Sequence, residues 1–274
     1  MKKILFIVNR TKASAMSIAE RLVGYAASAG FDCDINAEFP VDDCAFDGKD
    51  ICCAIGGDGT ILSCVPSLVR RGIAVFGINL GKLGFLASYN EEISREDFIC
   101  LVSGGGREIS RSLLEADFGG KKYVALNDFV MKDSRADGIS TFRIDADGEF
   151  IAACAGDGVI FSTPTGSTAY NLSAGGPLIH PQTRAFVMTP ICPHTLSNRS
   201  LIYGEESRVR VHCLGGRSAF IADGRRIADL EEGSEVDISV SACSLKFLRL
   251  KGHSHFAILR SKLGWAEDPR RHLK

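Results

Sequence analysis

The chain has 274 residues, 45% apolar and 24% charged, with a net charge of −1 at pH 7. This length suits one large or two modest domains with ample core. The composition is that of a globular chain, and the charge balance favours neither a nucleic-acid nor an anionic-membrane partner. Cysteines stand at 33, 44, 52, 53, 64, 100, 154, 192, 213 and 243, mostly inside apolar stretches. No C-x-x-C pair occurs, so a zinc site has no support. The thiols read as small buried hydrophobes in a reducing compartment. The opening run MKKILFIVNR is too short for a signal peptide and reads as a strand, and no apolar run approaches bilayer length. A cytoplasmic protein is expected.

Lys3–Val8 predicts a buried strand. Ala13–Ala29 follows with Ile18, Leu22, Tyr25 and Ala26 on one helical face, closed by Gly30. Phe31–Asn36 is read as the next strand and Val41–Lys49 as an acidic surface loop. Ile51–Ile55 is an apolar strand ending in Gly-Gly-Asp-Gly-Thr (56–60), after which Ile61, Leu62, Val65, Leu68 and Val69 recur at helical spacing. Ile73–Asn79 is a further strand, and GKLGFLA (81–87) is a second glycine-punctuated turn. That turn lacks the first glycine and the Ser/Thr of a P-loop. Glu91–Val102 predicts a short helix. Alternating strands and helices imply a parallel sheet with right-handed crossovers.

The pattern then changes. Ser103–Gly106 marks the expected boundary, giving an α/β domain over 1–103 and a β-rich, sandwich-like domain over 104–252. Strands are expected at Glu108–Phe118, Tyr123–Met131, Ser140–Ala146, Glu149–Cys154, Val209–Cys213, Ser218–Ala222, Glu235–Val240 and Leu245–Leu250. Asp147-Gly148 predicts a hairpin turn between two of them. The tail over 253–274 carries one more apolar run, HFAILRSKLGW, expected to return to the first domain.

Three constellations carry chemistry. At 56–60, glycines at the carboxyl end of a parallel strand let a backbone come close to a bulky anion. The following helix N-terminus offers unpaired N–H groups to phosphate. Asp58 is the odd member, since a carboxylate beside phosphate is repelled unless it holds a metal ion or takes a proton. The plainer reading is a tight turn with Asp58 and Thr60 capping the helix. In the second stretch, Gly156–Pro177, hydroxyls at Thr163, Thr165, Ser167, Thr168 and Ser173 crowd around Tyr170. They suit either turns that satisfy their own backbone or a pocket for a sugar or amide-bearing ligand. Asn127-Asp128 and Asp223-Gly224 are ordinary turn chemistry, although the first pair also suits a ribose diol. PHTLSNR (193–199) is polar and irregular, and His194 is given no catalytic role.

GGDGT is shared by a kinase superfamily that includes diacylglycerol, sphingosine and NAD kinases. STPTGSTAYNLSAGGP (162–177) resembles the signature of the NAD kinases. The likeness continues in NLGKLGFLA (79–87), Asn127-Asp128, Gly156-Asp157-Gly158 and TPICPHTLSNRS (189–200), in the family's order. The resemblance implies an ATP- or polyphosphate-dependent NAD kinase. Asp58 would take the proton of the adenosine ribose 2′-hydroxyl, with Gly57, Gly59 and Thr60 against donor phosphates or ribose and Phe85 beside the adenine. Asn127, Asp128, Asp157, Thr165, Thr168, Ala169, Tyr170, Asn171, Leu172 and Ser173 would surround NAD, with Asp223 or Arg225 as a late contact. It further implies Mg²⁺ arriving with the donor, no dedicated protein metal ligands, and a homodimer or homotetramer. Ser200 stands where the family often has proline, and Thr165 where serine is common. Two other readings stand beside this one. A lipid or small-alcohol kinase would share GGDGT but not the hydroxyl-rich stretch. A non-catalytic NAD(P)-binding sensor would gain nothing from Asp58.

Overall fold

A computed structural model describes residues 2–81, 84–134, 138–195, 197–252 and 254–265. Lys82 and Leu83 of the second glycine turn, Leu196 of PHTLSNR, His253, and the tail from 266 lie outside the described residues. Packing divides the chain into two compact units. The first comprises the chain up to Ile61, Ile73–Ile109, and the chain from Lys246 on. The second comprises Leu62–Gly72 and Ser110–Leu245.

The first unit contains β1 (Lys3–Val8), α1 (Ala15–Ser28), β2 (Asp32–Asn36), β3 (Ile51–Gly56), the first turn of α2 (Asp58–Arg71), β4 (Ala74–Asn79), β5 (Tyr89–Asn90) and α3 (Arg95–Val102). β2, β1, β3 and β4 lie side by side in that order, all parallel. Every residue of β3 and β4 is buried, as expected of parallel strands covered on both faces. Ile18, Ala19, Leu22 and Ala26 turn the apolar face of α1 onto the sheet. Phe6, Phe76 and Phe98 form an aromatic cluster with centroids 6.0–6.4 Å apart. α3 begins at Arg95 rather than at Glu91, because the Ser94 hydroxyl caps it by accepting from Asp97 N at 3.1 Å. The acidic loop before β3 contains a 3-10 turn over Asp43–Phe46 that buries Phe46.

The second unit is built from β6 (Arg107–Phe118), β7 (Lys121–Ala125), β8 (Asp128–Asp133), β9 (Ser140–Ala146), β10 (Glu149–Gly156), β11 (Gly158–Ser162), the single turn α4 (Tyr170–Ser173), β12 (Ala185–Ile191), β13 (Leu201–Gly204), β14 (Arg208–Gly215), β15 (Ser218–Ala222), β16 (Arg225–Leu230) and most of β17 (Glu235–Arg249). One antiparallel sheet runs β13-β12-β11-β8-β15-β16, and the facing layer runs β10-β9-β14-β17 with β6 and β7 beside it. Alternate residues of both layers, among them Phe129, Phe142, Phe161, Phe186, Val211 and Phe220, interdigitate in one core, which makes the unit a sandwich. Asp147 and Gly148 take φ 53° and 85°, the left-handed pair that a two-residue hairpin needs.

Three expected strands differ from the structure. The run Tyr123–Met131 breaks into β7 and β8 because the amides of 126–128 turn onto the Asp223 carboxylate instead of continuing a ladder. The pair Glu235–Val240 and Leu245–Leu250 is one strand, β17, since Ser241–Ser244 contains neither glycine nor proline to end it. Its first residues pair β14, and near its end Phe247 pairs Val75 in parallel. β5, β12, β13 and β16 were not expected. β12 is wholly buried although Pro190 sits within it. The tail forms α5 (His255–Leu263), which belongs to the first unit.

Candidate functional site

The first unit has strand order 2-1-3-4, so the chain leaves β1 and β3 in opposite directions. Such a switch point opens a crevice at the carboxyl ends of the two strands, where doubly wound sheets bind ligands. A cavity of about 310 Å³ lies there. Asn9 and Lys12 line it from the loop after β1, Gly57, Gly59 and Thr60 from the turn after β3, and Asn79 from the end of β4. Asn9 Oδ1 holds its loop by accepting from Thr11 N at 3.1 Å and Thr11 Oγ1 at 2.8 Å. Neither Gly57 nor Gly59 takes a positive φ. What they supply is access, since a Cβ built on Gly59 meets nothing within 4 Å. Backbone donors at the start of α2, together with one lysine, suit a polyanion.

Asp58 is the first residue of α2, and its carboxylate is bound from the far side of the turn. Phe85 N–H donates to Oδ2 at 2.9 Å, while Leu86 N–H and Ala87 N–H donate to Oδ1 at 3.1 and 2.8 Å. The approach is close enough that a Cβ on Gly84 would lie 2.0 Å from Oδ1, so residue 84 must be glycine. A carboxylate has about four acceptor positions. Among the described residues three are filled, and the open one is on Oδ2. The half-buried Phe85 ring lies 5.8 Å from Lys262 Nζ.

In the second unit a cavity of about 290 Å³ is lined by Asn127, Asp128, Lys132, Ala169, Tyr170 and Asp223 together with apolar groups that include Leu62 and Ile221. Asp223, at φ 47° in the β15–β16 hairpin, is 8% exposed and accepts from the amides of Leu126, Asn127 and Asp128 at 2.8, 2.7 and 3.3 Å. Burial raises its carboxyl, and these amides and the Arg225 charge pull it back. Asp128 is 5% exposed. Burial first, and the neighbouring Asp223 charge second, push its carboxyl up to about 7. Burial, together with the nearby Cys192, Asp157 and Asp128, raises the Tyr170 phenol. Asp157 is exposed at the β10–β11 junction and is hydrogen-bonded by the Cys192 thiol, which that contact raises.

The hydroxyl-rich stretch mostly satisfies its own backbone. Ser162 donates to Asn127 O and Thr163 O, Thr163 to Leu126 O at 2.6 Å, Ser167 to Pro164 O and Ile179 O, and Thr168 to Thr165 O. Gly166 lets this turn sit on residue 127, because a Cβ there would lie 2.1 Å from Asn127 O. These bonds brace the turn that presents Ala169 and Tyr170 to the cavity. Asn171 is fully buried; it donates to Ser167 O and Pro177 O and accepts from Thr189 Oγ1 at 2.7 Å. Leu172 is half-buried and Ser173 exposed, and neither lines the cavity; Arg225 is exposed. Thr165 differs from the other hydroxyls: its Oγ1 is buried and has no partner among the described residues. Asn9, Lys12, Asn79 and Lys132 were not singled out from sequence. The first three end or follow strands that border the switch point, which was the available signal.

A crevice suited to phosphate at the turn that carries Asp58, and a polar pocket with two buried carboxylates, fit a nucleotide-type phosphotransferase. The comparisons narrow this. Residues 36–99 match the ATP-NAD kinase N-terminal domain and residues 126–250 the ATP-NAD kinase C-terminal domain. The NAD kinase of Acidovorax ebreus (strain TPSY) is 38% identical over 224 residues, 80% of this chain and 75% of that protein. The NAD kinase of Lachnoclostridium phytofermentans is 34% identical over 283 residues, 96% of this chain and 99% of its own. The chain belongs to the NAD kinase family, whose members are kinases. Its fold is that of yeast NADH kinase complexed with NADH, at TM-score 0.86 and 23% identity over 97% of this chain and 89% of that one. An NAD kinase from Archaeoglobus fulgidus in complex with ATP shares it at TM-score 0.82 and 21% identity, over 97% and 100% of the two chains.

Proposed function

We propose that this chain transfers the terminal phosphoryl group of ATP to the 2′-hydroxyl of the adenosine ribose of NAD, giving NADP and ADP. The hydroxyl oxygen forms the new bond to phosphorus, the bond to the ADP oxygen breaks, and Asp58 takes the hydroxyl proton. The observation that carries this reading is the Asp58 carboxylate: amides fix it at the start of α2, with one acceptor position open on Oδ2. Phosphoryl transfer asks for positioning and charge neutralisation more than covalent chemistry. A carboxylate in that position orients the nucleophile and receives its proton late, as the new bond forms.

Gly57, Gly59, Thr60 and Lys12 suit the donor phosphates, because they offer N–H groups and a cation at one crevice. Phe85 is a half-exposed aromatic face suited to adenine. Asn127, Asp128, Tyr170, Ala169 and Asp223 line the cavity assigned to NAD, with Thr165 and Asp157 as further contacts. Asp128, held partly protonated near neutral pH, can donate as well as accept toward a hydroxyl or amide. Thr168, Asn171, Leu172 and Ser173, on the turn that presents Tyr170, are assigned to the same NAD site. Among the described residues the crevice offers amides, Lys12, Asn9 and Asn79, at the turn that carries Asp58. That donor set fits a Mg²⁺ ion carried in on phosphate oxygens, where it would neutralise charge on the transferring group. We further assign the nucleotide-donor role to 1–103 with 253–274 and the NAD-binding role to 104–252, and we assign the protein to the cytoplasm as a homodimer or homotetramer. Ten free thiols suit a reducing compartment, and Phe150 (55% exposed) and Ile151 (38%) on β10 suit a subunit contact.

The test is product analysis by mass spectrometry and phosphorus NMR with NAD, ATP and Mg²⁺. The expected result is NADP phosphorylated at the 2′ position, formed in equal amount with ADP. The reading is overturned if no NADP forms with ATP or polyphosphate, or if diacylglycerol or sphingosine is phosphorylated instead.

A further inference from the structure

The amides that grip Asp58 are themselves held from behind. Arg249, near the end of β17, is 2% exposed, and its Nη2 donates to the Leu86 carbonyl at 2.9 Å. Leu86 C=O and Ala87 N–H belong to one peptide group, and that N–H makes the shortest of the three bonds to Asp58, 2.8 Å to Oδ1. A guanidinium, a single peptide and a carboxylate thus stand in line. A cation on the carbonyl polarises the peptide and strengthens its N–H as a donor.

The anchor is itself fixed. The Arg249 guanidinium lies 5.1 Å over the Phe247 ring, with the Tyr89 phenol close enough to feel its charge. Tyr89 Oη in turn accepts from Leu250 N at 2.8 Å. On the other side Gly84 N–H donates to Ala87 O at 3.2 Å, closing the turn that presents the amides, and Ser88 Oγ adds a second donor to the Leu86 carbonyl at 3.2 Å. Burying a guanidinium is costly unless its donors find acceptors. Here Nη2 finds its acceptor on the peptide that orients Asp58.

We propose that Arg249 is a positioning residue of the reaction: through the Leu86–Ala87 peptide it fixes the Asp58 carboxylate with its open Oδ2 position toward the acceptor hydroxyl. The proposal rests on Asp58 being the proton acceptor. It assigns a chemical role to a residue far along the chain that lines neither cavity.

The test is a double-mutant cycle in single-turnover assays, with Arg249→Met and Asp58→Asn alone and combined. Arg249→Met is expected to lower kcat by about 10- to 100-fold, the scale of a misplaced catalytic group, with KM for NAD and ATP within about threefold. In the Asp58→Asn background the same change is expected to have no further effect, because residues that act as a unit are non-additive. Arg249→Lys, which keeps the buried cation, is expected to restore part of kcat. It also carries the same cycle if circular dichroism shows the Met variant unfolded. An unchanged kcat in the folded variant, or an equal loss in both backgrounds, overturns the role of Arg249. Full turnover by Asp58→Asn overturns instead the reading on which it rests.

Discussion

Asp58 and Asp128 are both carboxylates at the front of a regular element, yet their surroundings separate their roles. Asp58 is only half-buried and is saturated on one side by backbone donors; Asp128 is desolvated beside a second carboxylate. For Asp128 the sign of the pH effect follows directly. A carboxyl raised in the folded state from 3.8 to about 7 favours folding below pH 4, and that stability is lost as the pH rises through 7. Asp128→Asn is therefore expected to stabilise the protein at pH 8 by at most about 4 kcal/mol, since each tenfold change in proton affinity is worth roughly 1.4 kcal/mol, and to give no gain below pH 4. Thermal melts from pH 4 to 9 check this, and a variant that melts below the parent at pH 8 contradicts it. Residue types such as the aspartates were legible in the sequence. Arg249 was not, because a cation 163 residues from Leu86 shows its partner only once β17 is placed.

Among the elements, the site depends on two turns that approach other atoms too closely for any side chain. Gly84→Ala would put a Cβ 2.0 Å from Asp58 Oδ1, so the turn or the carboxylate must move. Turnover is expected to fall by at least about tenfold while the fold persists, measured as kcat against the melting temperature. Gly166→Ala would meet the Asn127 carbonyl at 2.1 Å, backbone against backbone. It is expected to destabilise by about 1–3 kcal/mol, the usual cost of overpacking, read from urea midpoints; an unchanged midpoint contradicts the packing described. The strand–glycine–helix units were legible because apolar runs and Gly-Gly-Asp-Gly-Thr punctuate them. The break at Leu126-Asn127 was not, since its cause is the Asp223 carboxylate 95 to 97 residues away. The role of the hydroxyl-rich stretch was not legible for a related reason. Ser and Thr side chains look alike in sequence whether they bond their own backbone or face a ligand.

The molecule as a whole combines an α/β unit with a β-sandwich, and the change in pattern after residue 103 showed this division of type. The unit containing residues 73–109 nevertheless runs past that point and regains chain from Lys246 on. Such a return follows from tertiary pairing of β17, not from local composition. The cysteine inventory also belongs to this scale. All ten are free, with Cys44, Cys100, Cys192 and Cys243 exposed. Alkylation of the unfolded chain without reductant is expected to label ten thiols, and brief labelling of the native protein only those four. Hydrogen bonds to Asp42 and Asp157 raise the Cys44 and Cys192 thiols, so these two are expected to react more slowly near neutral pH than an unperturbed thiol. Rapid native labelling of Cys52 or Cys53 would contradict the buried β3.

That Asp58 receives the proton of the hydroxyl being phosphorylated is best tested by comparing Asp58→Asn with the parent protein in paired assays. NADP formation is followed in a coupled dehydrogenase assay, and NAD affinity by calorimetry. Turnover is expected to fall by about 10²- to 10⁴-fold, the usual contribution of a positioned base, with NAD affinity retained within a few-fold. Unchanged turnover with affinity intact would show that the proton goes elsewhere.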